Sequence, residues 1–136
     1  MYDKSFNLEI ITPARVVISE EVTSLSVPGV QGGFQVLYNH APLMAAIDIG
    51  LMKVKDEEGK DKLYATSGGF VEVKDNKVVV LVETAERADE IDVLRAKAAK
   101  DRAAGRLHTR GSEVDMDRAR VAMSRALNRL RVAQHE

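Results

Sequence analysis

The chain contains no cysteine and no tryptophan. Without thiolates it builds neither a disulfide framework nor a cysteine-ligated zinc site. It has three prolines and six aromatic residues, and all of them lie in the first 70 positions. No apolar run approaches the roughly 20 residues a membrane-spanning helix requires. The longest, residues 41–47, is interrupted by Pro42. Nothing at the start resembles a secretory signal. Net charge over 136 residues is −1, so no overall field draws the chain to nucleic acid. These absences point to a soluble protein of a reducing compartment that meets membranes only through partners.

What is present falls into two unlike parts, residues 1–85 and 86–136. The first carries eight Lys and Arg against twelve Asp and Glu, a charge of −4. The second carries twelve against nine, a charge of +3. The first part is written in strand periods. Phe6, Leu8 and Ile10 alternate with polar neighbours, and Thr12-Pro13-Ala14 breaks the run. Thr23, Leu25 and Val27 alternate with Ser24 and Ser26. Asp75-Asn76 between two apolar runs is a hairpin signal. Residues 78–82 are apolar on both faces, which predicts a central strand covered on both sides. Many short strands with closely spaced turns predict a β-sandwich or barrel.

The second part has no proline and no aromatic residue. Helix is expected from Glu86, with a thin stripe of Ala88, Ile91, Leu94, Ala98 and Ala99. Asp92, Arg95 and Arg102 share one face of it. Gly105 is the expected terminator. Ser112 is the expected N-cap of a second helix, with Asp115 as a weak capping-box partner. That helix should run over residues 113–132, with Met116, Ala119, Met123, Ala126, Leu127 and Leu130 on its apolar face. Arg118, Arg120, Arg125, Arg129 and Arg131 make the rest basic, and lysine is absent there. Arginine favours planar, bidentate contacts to carboxylate or phosphate. The short connection predicts a hairpin of two antiparallel helices.

Catalytic chemistry finds little support. The glycines after Pro28 are not followed by Lys-Ser or Lys-Thr, so they form no phosphate loop. His40 stands far from His108 and His135 in the sequence, and no Ser/His/Asp set accompanies it. A nucleic-acid role for the arginine-rich tail stays open, against the tail's nine acids and its lack of stacking aromatics. An enzyme using His40 with a carboxylate is the third reading.

The order of motifs resembles the epsilon subunit of bacterial-type F-type ATP synthases over essentially the whole chain. The resemblance rests on Pro28-Gly29 followed by Asn39-His40-Ala41-Pro42-Leu43. It also rests on Ser67-Gly68-Gly69-Phe70-Val71-Glu72-Val73 and on Ala85-Glu86-Arg87-Ala88-Asp89-Glu90-Ile91-Asp92, then the helical tail. At Gly33, Gln35 and Tyr38 the chain departs from the residues common in that family. The resemblance implies a β-sandwich over 1–85 that binds the gamma subunit and the ring of c subunits. A regulatory two-helix hairpin over 86–136 follows. It implies a non-catalytic, peripheral subunit of the central stalk of a rotary, proton-translocating synthase. Its place would be the cytoplasmic face of the bacterial inner membrane. Tyr38, Asn39, His40 and Pro42 would contribute to the gamma or c-ring contact. The tail, extended into the alpha/beta catalytic head, would inhibit ATP hydrolysis through Arg118, Arg120, Arg125, Arg129 and Arg131. In some members Ile-Asp-x-x-Arg-Ala marks ATP binding, and Ile91-Asp92-Val93-Leu94-Arg95-Ala96 matches it. Asp92, Arg95, Arg102, Arg125 and Arg129 would then hold ATP as a regulatory ligand, no cofactor or metal being required. The alternative is that these arginines only pair with Glu86, Asp89, Asp92 and Asp101.

Overall fold

Alternation in the sequence becomes alternation in space. In the computed structural model, which describes residues 4–108 and 115–134, strand β1 (Phe6–Ile11) buries Phe6, Leu8 and Ile10. Eight further strands follow: β2 (Val16–Val27), β3 (Phe34–Val36), β4 (Leu43–Ile47), β5 (Gly50–Asp56), β6 (Asp61–Thr66), β7 (Gly69–Lys74), β8 (Lys77–Val82) and β9 (Ala85–Arg87). They lie on one hydrogen-bonded path, β4-β7-β8-β1-β2-β5-β6-β9, with β3 also on β2.

The 12-residue β2 turns that path into two layers. Its first half pairs with β1, and its second half pairs with β5 and β3. The register slips between Val22 and Ser24, a bulge that reverses which residues face inward. Val22, Leu25 and Val27 therefore all point into the core, while Thr23, expected in phase with Leu25, does not. Thr23 Oγ1 instead donates to the carbonyls of Lys55 and Asp56 at 3.2 and 3.3 Å. The core fills from both layers, with Leu8, Val71, Val78 and Val80 on one side and Leu25, Met52, Val54 and Tyr64 on the other.

The Asp75-Asn76 signal forms the tight β7–β8 hairpin, both residues having positive φ (52° and 60°) and Lys74 pairing with Lys77. Asn76 also ties two further segments. Its Nδ2 donates to Ser5 O at 2.9 Å, and its Oδ1 accepts from the Asn39 backbone N–H at 2.7 Å.

One expectation for β8 is corrected. Val78, Val80 and Val82 are buried, but on the opposite face Leu81 is 51% exposed. The sandwich has two layers, and the second of the two helices packs against β5 and β6.

The helical part also departs from its sequence reading. Residues 85–87 are spent on β9, and a single 3-10 turn occupies Ala88–Glu90. Helix α1 (Val93–His108) starts only after Asp92, whose Oδ1 accepts the Arg95 N–H at 3.0 Å as an N-cap. That later start moves the buried stripe to Ala96 and Ala103 and leaves Leu94 exposed. Gly105 lies inside α1, not at its end. Glycine inside a helix costs only about 1 kcal/mol relative to alanine, so packing carries the helix through it. Helix α2 (Met116–Gln134) is capped by Asp115, whose Oδ1 accepts the Arg118 N–H at 3.0 Å. Ser112 lies outside the described residues. On α2, Ala119 and Ala126 are buried as expected, Leu127 is exposed, and Asn128 and Val132 are buried in addition. The start of α1 and the end of α2 border one groove, which fixes the pair as antiparallel.

Candidate functional site

Three surfaces stand out, and the first is the junction between hairpin and sandwich. A small apolar cluster joins them: Ala65 of β6, Ala88 of the 3-10 turn and Val132 of α2, flanked by Leu51, Leu63 and Ile91. Alanine buries little area, so at about 25 cal/mol per Å² this seam contributes modestly. Polar contacts supplement it. Arg129 Nε donates to Glu86 Oε1 at 2.5 Å, and Asn128 Nδ2 donates to Gly50 O at 2.9 Å. Beside them opens a cavity of about 290 Å³. One wall is α2, with Arg125 and Arg129. The other is the sandwich edge, with Thr66, Ser67, Glu83, Thr84 and Glu86. That edge is pre-ordered, since Ser67 Oγ accepts the Thr84 N–H at 2.9 Å and Thr66 Oγ1 donates to Ser67 O at 2.9 Å.

The cavity thus presents two guanidinium groups to a hydroxyl-rich wall with two carboxylates. Such a wall suits a ligand with an anionic end and hydroxyl groups. An anion reaching Arg129 has to displace Glu86. Of the other residues expected at a nucleotide site, Asp92, Arg95 and Arg102 are exposed on or just before α1 and do not line this cavity. The Asp92 carboxylate is engaged as a helix cap. Of the α2 arginines, Arg118, Arg120, Arg125 and Arg131 are exposed, and Arg120 pairs with Asp117 at 2.9 Å. Arg129 is half-buried.

The second surface is the end of the sandwich near Asn76. Tyr38, Asn39 and Pro42 are exposed there, and Asn39 has a φ of 57°. Lys4 Nζ sits 5.6 Å from the centre of the Tyr38 ring, a cation–π contact. His40 Nδ1 lies 2.7 Å from Ala41 O. A carbonyl only accepts, so this nitrogen carries the proton and is no free base. The glycine-rich turn at residues 28–33 lies elsewhere. A Gly29–Ile47 bridge and hydrogen bonds Val30 N–H to Ala46 O and Asp48 N–H to Pro28 O hold it. Leu43 pairs with Val73 near the Asn76 hairpin, whereas Ile47 pairs with Gly69 at the far end of β4. At about 3.4 Å per residue the two loops sit at opposite ends of the sandwich.

The third surface is a row of apolar side chains. On the outer face of β4, β7, β8 and β1, the register aligns Ala46, Phe70, Leu81 and Ile11 in one row. Phe70 is 60% exposed and neighbouring Met44 is 70% exposed. The sequence signal was present: apolar residues on both faces of residues 78–82, and Phe70 out of phase with Val71 and Val73. Periodicity reports that a face is apolar, not which molecule covers it.

Among the described residues, two ionisable side chains are displaced from their ordinary behaviour. Burial raises the Tyr64 phenol above its usual value, partly opposed by Arg87. The Asp56 carboxyl is lowered because its Oδ1 accepts the backbone N–H groups of Lys60 and Glu58, both at 2.9 Å.

Residues 5–88 match the family described as "ATP synthase, Delta/Epsilon chain, beta-sandwich domain". Residues 89–134 match "ATP synthase, Delta/Epsilon chain, long alpha-helix domain". The chain is 53% identical over 107 residues to the ATP synthase epsilon chain of Pelotomaculum thermopropionicum, covering 79% of each. It is 49% identical over 110 residues to that of Syntrophomonas wolfei, covering 81% of this chain and 80% of the relative. Its fold is similar to a chain in the Euglena gracilis mitochondrial ATP synthase structure of OSCP, F1 and c-ring. That match has a TM-score of 0.83 at 23% identity, over 99% of this chain and 84% of the other.

Proposed function

The chain belongs to the ATP synthase delta/epsilon chain family, and on that premise we propose that it is a non-catalytic subunit of the rotor's central stalk. It couples the gamma subunit to the membrane ring of c subunits in a bacterial, proton-translocating enzyme. It lies at the cytoplasmic face of the inner membrane and reaches the membrane only through that complex. The observation that carries this reading is the exposed apolar row Ala46, Phe70, Leu81 and Ile11. An apolar sheet face left open to water marks a protein interface. Gamma is the occupant this family offers. The test is co-purification of gamma with Phe70→Glu and Leu81→Glu variants. Both positions point outward, so the sandwich should remain folded while gamma is lost. Full retention of gamma by both folded variants overturns the reading.

The hairpin supplies regulation. In its docked position the arginines Arg118, Arg120, Arg125 and Arg131 are exposed, Arg120 being paired with Asp117 of its own helix. Extended along gamma, α2 brings them to the alpha/beta catalytic head and restrains ATP hydrolysis. Arg129 must leave Glu86 to join them. ATP, held in the cavity through Arg125 and Arg129, stabilises the docked form and relieves inhibition. Tyr38, Asn39, His40 and Pro42 form a second contact with gamma or the c-ring.

A further inference from the structure

Asn128 is buried to 5% exposure on the face of α2 that meets the sandwich. A buried amide costs free energy unless it is hydrogen-bonded, and its value lies in selecting one arrangement over its neighbours. Its Nδ2 donates to the carbonyl of Gly50, 78 residues earlier, at 2.9 Å. The acceptor is fixed. A Cβ on Gly50 would lie 2.7 Å from the Pro28 Cβ, so the backbone there is already in contact with the proline ring. The Pro28 carbonyl in turn accepts the Asp48 N–H at 2.8 Å. A rigid carbonyl therefore faces a single side-chain donor on an otherwise alanine-rich helix.

We propose that Asn128 is the latch that selects one docked position of the hairpin on the sandwich. Ala65, Ala88 and Val132 are non-directional contacts, so alone they tolerate sliding or rotation of α2. Sliding α2 by one residue moves the Asn128 amide about 1.5 Å along and 100° around the helix axis, away from the Gly50 carbonyl. The buried Asn128 amide would then lose its partner. Docking thus acquires a defined register. Release is a discrete step, because the Asn128–Gly50 hydrogen bond and the adjacent Arg129–Glu86 pair break together. This latch does not depend on the nucleotide reading.

The absence of native cysteine permits a clean test. Spin labels on cysteines placed at Ser124 of α2 and Lys53 of β5, both exposed, report the hairpin–sandwich distance in the full-length isolated chain. The native chain should give one narrow distance. Asn128→Ala should broaden it or add a second population, raising the undocked-to-docked ratio about five- to tenfold. The thermal transition of the sandwich should stay unchanged, since Asn128 is no part of its core. Gly50→Ala, which pushes the carbonyl off position, should broaden the distance too. Combined with Asn128→Ala it should add nothing further. A distance distribution for Asn128→Ala identical to the native one overturns the proposal. So does full additivity of the two folded variants, which would mean that they act on separate contacts.

Discussion

Arg129 and Glu86 close the hairpin onto the sandwich: 43 residues apart in the chain, they meet at 2.5 Å between Nε and Oε1. Each is about one-third exposed, so solvent screens the pair and it contributes on the order of 1 kcal/mol. An ion pair of that strength holds an arginine in place yet yields it to a polyphosphate. Titration calorimetry of the isolated chain with ATP should show saturable binding at millimolar or tighter affinity. Arg129→Ala and Arg125→Ala should each weaken it. Heat equal to dilution up to several millimolar ATP would leave these arginines as protein contacts only.

The thin seam predicts separable parts. The sandwich core closes with Ala85, and of the small Ala65, Ala88 and Val132 cluster the helices supply only Val132. A chain ending after Arg87 should still unfold in one cooperative transition, followed by circular dichroism in urea. In the assembled complex the truncation should raise ATP hydrolysis. Equal rates with and without the hairpin would remove inhibition from its role.

Gly69 starts β7 where β8 passes too close for a side chain. A Cβ there would lie 2.0 Å from the Leu81 carbonyl oxygen and 2.7 Å from the Val82 Cα, both backbone atoms. Gly69→Ala should therefore destabilise the chain by about 1–3 kcal/mol or more, as overpacking does. Gly59→Ala places its Cβ in open space but at a φ of 83°. It should cost about 1 kcal/mol from backbone strain alone. Denaturant midpoints that rank the two in the reverse order would contradict this account.

Tyr64 sets an alkaline limit. Burial favours the neutral phenol, so its folded value is raised above the ordinary 10.0. The unfolded chain then releases this proton first as pH rises. The stability this supplies is complete below about pH 10 and is lost as pH climbs through the raised folded value. Unfolding free energy should fall in that window, and Tyr64→Phe should flatten the fall. An identical slope in both proteins would assign alkaline unfolding to other groups.

The residue order alone makes the strand-rich first part, the helical tail and the tight turn at Asp75-Asn76 legible. It also carried the chain of motifs that the family match confirms. These are local signals: a two-residue period, a helical stripe, and residues that accept positive φ. The phases and the partners came from long-range packing. The Val22–Ser24 bulge turned Thr23 out of the core, because β2 must serve two layers. Asp92 capped α1 and so buried Ala96 while leaving Leu94 in water. Gly105 was carried inside the helix by packing, and Asn128 was buried because Gly50 offered a fixed carbonyl across the junction. The row through Phe70 and Leu81 was apolar in the sequence, but its exposure followed from where the hairpin docked. Periodicity is a property of a few neighbouring residues. Which face meets which is settled by contacts dozens of residues apart, and no local pattern encodes those.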